Sequence, residues 1–294
     1  MSRIARSRYR VGVAFALPLI IGLAAFTLFP VLSSLYFSLT DYPIFDPPKW
    51  IGVGNFRELF TDARFWLSVW NTFYFVLFAV PMGMLVGLCL ALLLNLKVRG
   101  LAFYRTMFFL PSIVPLIATC VLWFQVLSPD HGLLNEALRS LGMPERWIPR
   151  WLTDELWAKP GLVLMSIWGC GGGMVLYLAA LQDVPQELYE SAELDGASAL
   201  HRLWHITLPM ISPTLLFTGI TGVIGAMQYF EQAYVMTHAG PNDATLFYSV
   251  NLFETAFTEY RLGYASAMAV VMFVIILGLT MTLVKFTRRF VHYQ

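Results

Sequence analysis

Five carboxylates crowd one short stretch of this sequence: Asp183, Glu187, Glu190, Glu193 and Asp195, with Arg202 the only arginine or lysine near them. Acidic side chains at this density cannot all neutralise one another internally. Their chemistry is therefore electrostatic, the recognition of a cationic partner surface. Other reactive groups offer less. His201 and His205 stand at i, i+4, a metal-ligand spacing, but no H-E-x-x-H accompanies them, and they read as surface histidines. The lysines Lys49, Lys97, Lys159 and Lys285 each follow a residue other than Gly, so the sequence holds no G-x-x-x-x-G-K-[ST] phosphate loop. Cys89, Cys120 and Cys170 sit inside apolar runs without C-x-x-C spacing. No catalytic residue, resident metal or cofactor is expected.

The elements that must carry this acidic stretch are apolar. Of 294 residues 58% are hydrophobic and 13% charged, about half the charge of a soluble domain. A net charge of +1 without a basic face argues against nucleic acid as a partner and leaves membrane lipid as the main surroundings. Six nearly charge-free runs are long enough to cross hydrocarbon, which takes about 20 helical residues. They lack the alternation of barrel strands, so the predicted fold is an all-α integral membrane bundle of six transmembrane helices. The spans are placed at residues 11–38, 67–95, 104–128, 159–181, 208–234 and 262–285. Arg3, Arg6, Arg8 and Arg10 resemble the start of a secretory signal, but the apolar run behind them is about twice the usual signal length, so it reads as a retained span. Lys97, Arg99, Arg105, Arg202, Lys285, Arg288 and Arg289 join those arginines on one side. By the positive-inside rule that side is cytoplasmic and holds both termini and the acidic loop, residues 182–208. No span carries a mid-membrane carboxylate or lysine, which disfavours an ion-coupled secondary carrier.

Local signals refine the picture. Asn55-x-x-Glu58 has capping-box spacing and predicts a short interfacial helix near Trp50 and Trp66. Asn71-Thr72 is read as the opening of the second span, and Gly83 and Gly87 as a close-packing pair. Pro111 and Pro115 fall inside the third. Gly142 predicts the C-cap of a helix carrying Leu134, Leu138 and Leu141, ahead of Trp147, Trp151 and Trp157. The fourth span holds Trp168-Gly169-Cys170-Gly171-Gly172-Gly173, where each glycine costs about 1 kcal/mol of helix propensity. The run reads as tight helix packing, or functionally as missing side chains that widen a central cavity or a helix that unwinds beside a substrate. In the loop, Asp183 is a candidate N-cap with Pro185 in the first turn. Tyr189, Ala192 and Glu193 share a face, Gly196 permits a bend, and Ala197, Leu200, Leu203 and Trp204 line a second short helix before Pro209.

Glu190-Ser191-Ala192, then Gly196, then Ile206-x-Leu208-Pro209 resembles the EAA signature of permease subunits of bacterial ABC importers. Ser191 replaces the usual Ala, a small-for-small change. Gly52-x-Gly54-Asn55-Phe56, Asn71-Thr72, the Pro111/Pro115 segment and Thr237-x-x-Gly240-Pro241 extend the likeness along nearly the whole chain, to the type I carbohydrate branch and its MalF-like permeases. Ala239 stands where Gly is usual. The resemblance implies a transport subunit, not an enzyme. It works with a second homologous permease, two ATP-binding cassette subunits that carry the ATP and Mg²⁺, and an extracytoplasmic solute-binding protein, in the bacterial inner membrane. It further implies that Glu190, Ala192, Glu193, Asp195, Gly196, Leu208 and Pro209 couple the chain to the ATPase. Positions matching the maltose-system sugar contacts are Gly169, Cys170, Gly173, Gly222, Gly225, Ala226 and Tyr229, most of them small here. Trp168, Gln228, Tyr229 and Gln232 remain for stacking on and hydrogen bonding to a carbohydrate. Permeases for glycerol-3-phosphate or its diesters look alike and form the alternative. Glu190→Lys or Gly196→Pro is expected to uncouple ATP hydrolysis from uptake while leaving membrane insertion intact; full uptake by both variants would remove the coupling role.

Overall fold

A computed structural model describes residues 3–96 and 99–287, with side chains from residue 12 onward. Lys97, Arg288 and Arg289 lie outside the described residues. The chain divides into two compact units, Met1–Asp62 with Leu252–Val274 and Ala63–Asn251 with Ile275–Gln294.

In the first unit, α1 (Arg3–Leu23) and α2 (Phe29–Phe37) are joined by a π-helical turn, Ala24–Leu28. Pro30 cannot donate to the carbonyl four residues back, and the widened turn accommodates that loss without a kink. Gly12–Phe37 is one apolar helical stretch of 26 residues. A ribbon of β1 (Thr40–Asp41) and β2 (Lys49–Trp50) and the helix α3 (Gly54–Thr61) follow. The ribbon was not legible in the sequence, and the expected capping box is absent. Val53 caps α3, whereas Asn55 is buried inside it and donates to the carbonyls of Ser38 (2.9 Å) and Thr40 (2.8 Å). Those carbonyls, orphaned where α2 ends, outcompete the local cap. Gly263 must be glycine, since a Cβ there would lie 2.1 Å from the Thr40 oxygen.

The second unit is built around α4 (Ala63–Leu94), which packs against α8 (Glu155–Trp168), α9 (Gly171–Gln182) and α13 (Ser212–Met227). The third predicted span is interrupted. It comprises α5 (Leu101–Phe109), a 3₁₀ turn at Leu110–Ser112 and α6 (Leu116–Val126), bent by 96° where Pro111 and Pro115 withdraw donors. The fourth is bent by 45° between α8 and α9. The fifth breaks between α12 (Leu208–Met210) and α13, and again before α14 (Glu231–Thr237). Among the described residues, three helices are long and apolar enough to cross a membrane unaided, or up to six if each bent pair counts as one span.

Outside these helices, α7 (Leu133–Ser140) ends in a Schellman motif with Gly142 left-handed (φ 83°), as its sequence predicts. The unpredicted Asn135 ties this loop together. It donates to the carbonyls of Pro129 and Pro149 and accepts from the Trp151 indole at 2.9 Å, which makes Trp151 a packed residue. Hydrogen bonding to Glu145 raises the Arg139 pKa above its ordinary value.

Asn71-Thr72 does not open a helix. Eight residues inside α4 and fully buried, Asn71 donates to the carbonyls of Asp243 (2.9 Å) and Leu246 (3.1 Å) and accepts from Lys159 Nζ at 3.0 Å. Thr72 accepts from the Tyr248 amide, at the start of α15 (Tyr248–Phe257), which α16 (Leu262–Thr287) follows. Together they clamp a turn in which His238, Ala239, Asn242 and Asp243 all adopt positive φ. Replacing Asn71 with Leu orphans two carbonyls and an ammonium; it should cost about 3 kcal/mol and lower the melting temperature of the detergent-solubilised chain by about 5–10 °C. An unchanged melting temperature would mean the turn holds itself.

Candidate functional site: an acidic elbow and a glycine-walled cavity

The acidic stretch folds as two short helices around a fixed bend. α10 (Gln186–Leu194) is capped by Pro185, not Asp183. Asp183 still closes α9, its amide bonded to the Ala179 carbonyl, because the residue ahead of a proline is driven out of helical geometry and the new helix can start only beyond it. At its other end α10 closes in a Schellman motif. The Ala197 amide donates to the Ala192 carbonyl (2.9 Å), the Gly196 amide to that of Glu193 (3.0 Å), and Gly196 takes φ 75°. A side chain at Gly196 would be strained in that conformation. Ser198 then caps α11 (Ala199–Arg202), which runs through a second π turn, Leu203–Thr207, into α12.

All five carboxylates are exposed. Glu193 is bound by Arg202 across the bend, which leaves Asp183, Glu187, Glu190 and Asp195 without a cationic partner among the described residues. Leu194 is 90% exposed and Leu200 and Trp204 are exposed too, so the second apolar stripe is not buried within the chain. The His201 and His205 rings stack at 3.9 Å, and His205 Nδ1 meets the His201 carbonyl. The described residues hold no group of three or more metal-ligating side chains.

Tyr189 and Ala192 are half-buried, and Tyr189 hydrogen-bonds the buried Thr207 hydroxyl at 3.0 Å. Tyr189, Ile206 and Leu208 pack on a cluster that includes Leu94, Met174, Tyr177, Leu181 and Ile211. Pro209 is half-buried, and the Ser212 hydroxyl donates to its carbonyl.

Tyr177 in turn borders a cavity of about 400 Å³ between α4, α9 and α13. Of the residues proposed for a substrate path, Cys170, Gly173, Gly222, Gly225, Ala226 and Tyr229 all line it. Trp168, Gly169, Gln232 and again Tyr229 line a smaller chamber of about 240 Å³. Gln228 is exposed and borders neither. Sequence reasoning missed Tyr177 and Thr218, whose hydroxyls meet at 2.7 Å in the cavity wall, and Phe75, whose ring packs on Tyr229 at 4.1 Å. A tyrosine in an apolar run gives no sign in one dimension of which face it takes.

The glycine run meets two different environments. Gly171 is a packing glycine, since a Cβ would fall 2.5 Å from the Phe108 carbonyl oxygen. Gly172 has open space, and Gly173 meets nothing closer than Tyr177 at 3.8 Å. Gly87 lies against Tyr177 and the start of α9, whereas its partner Gly83 faces the cavity.

The chain belongs to the family of binding-protein-dependent transport system inner membrane components, which it matches over residues 79–292. It is 39% identical to the probable ABC transporter permease YesP of Bacillus subtilis, across 100% of this chain and 95% of that one. Identity is 37% to the lactose transport permease LacF of Rhizobium radiobacter (84% and 83%) and 33% to the trehalose/maltose transport permease MalF of Thermococcus litoralis (95% and 94%). A chain of a bacterial alginate ABC transporter, solved with its alginate-loaded periplasmic protein, shares the fold with a TM-score of 0.83 at 24% identity, over 96% of each chain. The resemblance carried by the acidic loop is borne out, and the chain is a transport subunit rather than an enzyme.

The two glycine environments make opposite predictions. Gly171→Ala should lower thermal stability clearly, since backbone would have to move, whereas Gly172→Ala should be neutral or stabilising by up to about 1 kcal/mol. Equal effects in a melting assay would show that the contact at Phe108 is not tight.

Proposed function

We propose that this chain is one of two transmembrane permeases of an ATP-binding-cassette importer for a di- or oligosaccharide. A solute-binding protein delivers the sugar from outside the bacterial inner membrane. Residues 1–294 form one permease domain crossing six times, with both termini and the 182–208 loop in the cytoplasm. The loop docks on a cationic cleft of an ATPase subunit: Glu190 and Asp195 supply charge, Ala192 close packing, Gly196 the bend and Leu208-Pro209 the return to the membrane. Glu193, engaged with Arg202, braces the elbow. ATP and Mg²⁺ stay on the partner subunits.

The observation that carries this reading is that the acidic elbow and the cavity share one packed cluster. Tyr189 sits on it from the loop side, and Tyr177 reaches from it into the cavity wall. Closure of the ATPases moves α10, and through Tyr189, Thr207 and Ile211 the ends of α9 and α13 move with it. The cavity then alternates in access. Its wall holds aromatic rings and hydroxyls but no Lys or Arg among the described residues, which favours a neutral sugar over glycerol-3-phosphate.

The test is to purify the assembled complex in liposomes with its binding protein and measure hydrolysis and uptake across a panel of sugars and glycerol-3-phosphate. Sugar-dependent stimulation is expected; stimulation by glycerol-3-phosphate alone would overturn the substrate class. Gly225→Leu, which adds a side chain where none now stands, should cut uptake at least tenfold at equal membrane abundance. Undiminished uptake would move the path elsewhere.

A further inference from the structure

Beside the clamp at Asn71 a cation stands at the edge of an apolar groove. Lys159, half-buried on α8, donates from Nζ to Asn71 Oδ1 at 3.0 Å, and its ammonium lies 5.3 Å from the centroid of the Tyr74 ring. An ammonium carries three donors. No carboxylate forms an ion pair with Lys159 among the described residues. Glu155, one turn earlier on α8, accepts from the Asn242 amide instead. The carboxylate thus lies farther from the membrane centre than the ammonium.

From Lys159 toward the membrane centre runs a groove of about 250 Å³ between α4 and α8. Tyr74, Phe78 and Met82 line its α4 side at i, i+4 and i+8, Val163 and Ile167 its α8 side, and Trp151 also borders it. Phe78 and Met82 are 42% and 43% exposed, so the groove lies open. Between Tyr74 and Met82 the helix rises about 12 Å, most of the roughly 15 Å that half a hydrocarbon core measures. The Tyr74 hydroxyl and the Trp157 indole, whose ring stands 5.2 Å from Trp151, have no hydrogen-bond partner among the described residues. Tryptophans in this position mark the headgroup layer of a membrane. A helix of another chain could fill the groove but would bring no phosphate to the remaining Lys159 donors; a lipid brings both parts, acyl chain and acceptor.

We propose that this groove is the binding site of a zwitterionic glycerophospholipid. One acyl chain lies along Tyr74, Phe78 and Met82. The phosphate accepts from Lys159, with Tyr74 and Trp157 as further donors, and the outermost ammonium meets Glu155. The order of charges on α8, cation inward and carboxylate outward, is the complement of such a headgroup. Because Lys159 also holds Asn71, the bound lipid braces the clamp on the 238–243 turn. The proposal goes beyond the transport reading and needs only that α4 and α8 cross the membrane.

The experiment uses the complete complex, reconstituted in liposomes of equal phosphatidylethanolamine and phosphatidylglycerol, extracted in mild detergent and analysed for retained lipid by mass spectrometry. The wild type should retain phosphatidylethanolamine in preference to phosphatidylglycerol. Met82→Trp fills the groove without touching Lys159 or Asn71 and should lower that retention roughly fivefold. Glu155→Gln keeps an acceptor for Asn242 but loses the charge; it should retain lipid while losing the preference. A benzophenone side chain introduced at position 78 should cross-link to lipid on illumination. Retention and headgroup ratio unchanged in both variants would overturn the site, as would a cross-link to a protein chain in place of lipid. A wild-type preference for phosphatidylglycerol would overturn the headgroup assignment.

Discussion

Hydrocarbon offers a peptide group no water to bond to, and each orphaned donor or acceptor there costs several kcal/mol. This constraint governs how the chain can interrupt its helices. At the α8–α9 break the Gly169 and Cys170 amides shift to carbonyls three residues back, and the Met174 amide donates to the Cys170 carbonyl in the new register. At α12–α13, Pro213 cannot reach the Pro209 carbonyl, and the Ser212 hydroxyl takes the vacant place at 2.6 Å. At α13–α14 the Gln228 and Tyr229 amides remain bonded backward, and Tyr234 bonds to Phe230 beyond the break. The helices bend without leaving those donors bare, so a cavity walled by backbone and small residues can stand in an apolar medium.

Much of this was legible in one dimension, for reasons that can be named. Apolar run length marks spans because lipid demands it, and Gly142 and Gly196 mark helix ends because only glycine enters the left-handed region without strain. The EAA spacing was readable because its parts lie within one contiguous stretch, residues 190–209. Failures came wherever a distant group competed with a local one. Asn55 abandons a capping role for the carbonyls of Ser38 and Thr40. Asn71 looks like a helix start and is instead the anchor of a turn more than 170 residues away. Asp183 loses its cap to Pro185, although the proline itself was in plain sight. The cavity fell between these cases. Six of its residues could be named by resemblance, but Tyr177, Thr218 and Phe75 required the fold.

In the glycine run one residue type serves two unlike ends. Within three residues, Gly171 is glycine because another helix presses on it, and Gly173 is glycine in the wall of an open space. Backbone proximity and emptiness favour the same residue type for opposite reasons. The same split divides Gly87 from Gly83 on α4. A cavity beside a tightly packed seam follows from alternating the two along neighbouring helices.

The bend at Gly196 has a mechanical consequence. Two backbone bonds cross it, from Gly196 to Glu193 and from Ala197 to Ala192, and an ion pair spans it from Arg202 to Glu193. Such a joint has little compliance. A load on α10 is not absorbed by flexing at the corner but carried through to α11 and the Thr207 contact as displacement, much as a welded bracket transmits torque that a pin joint would dissipate. Gly196 permits the turn, and the bonds across it hold the turn in place.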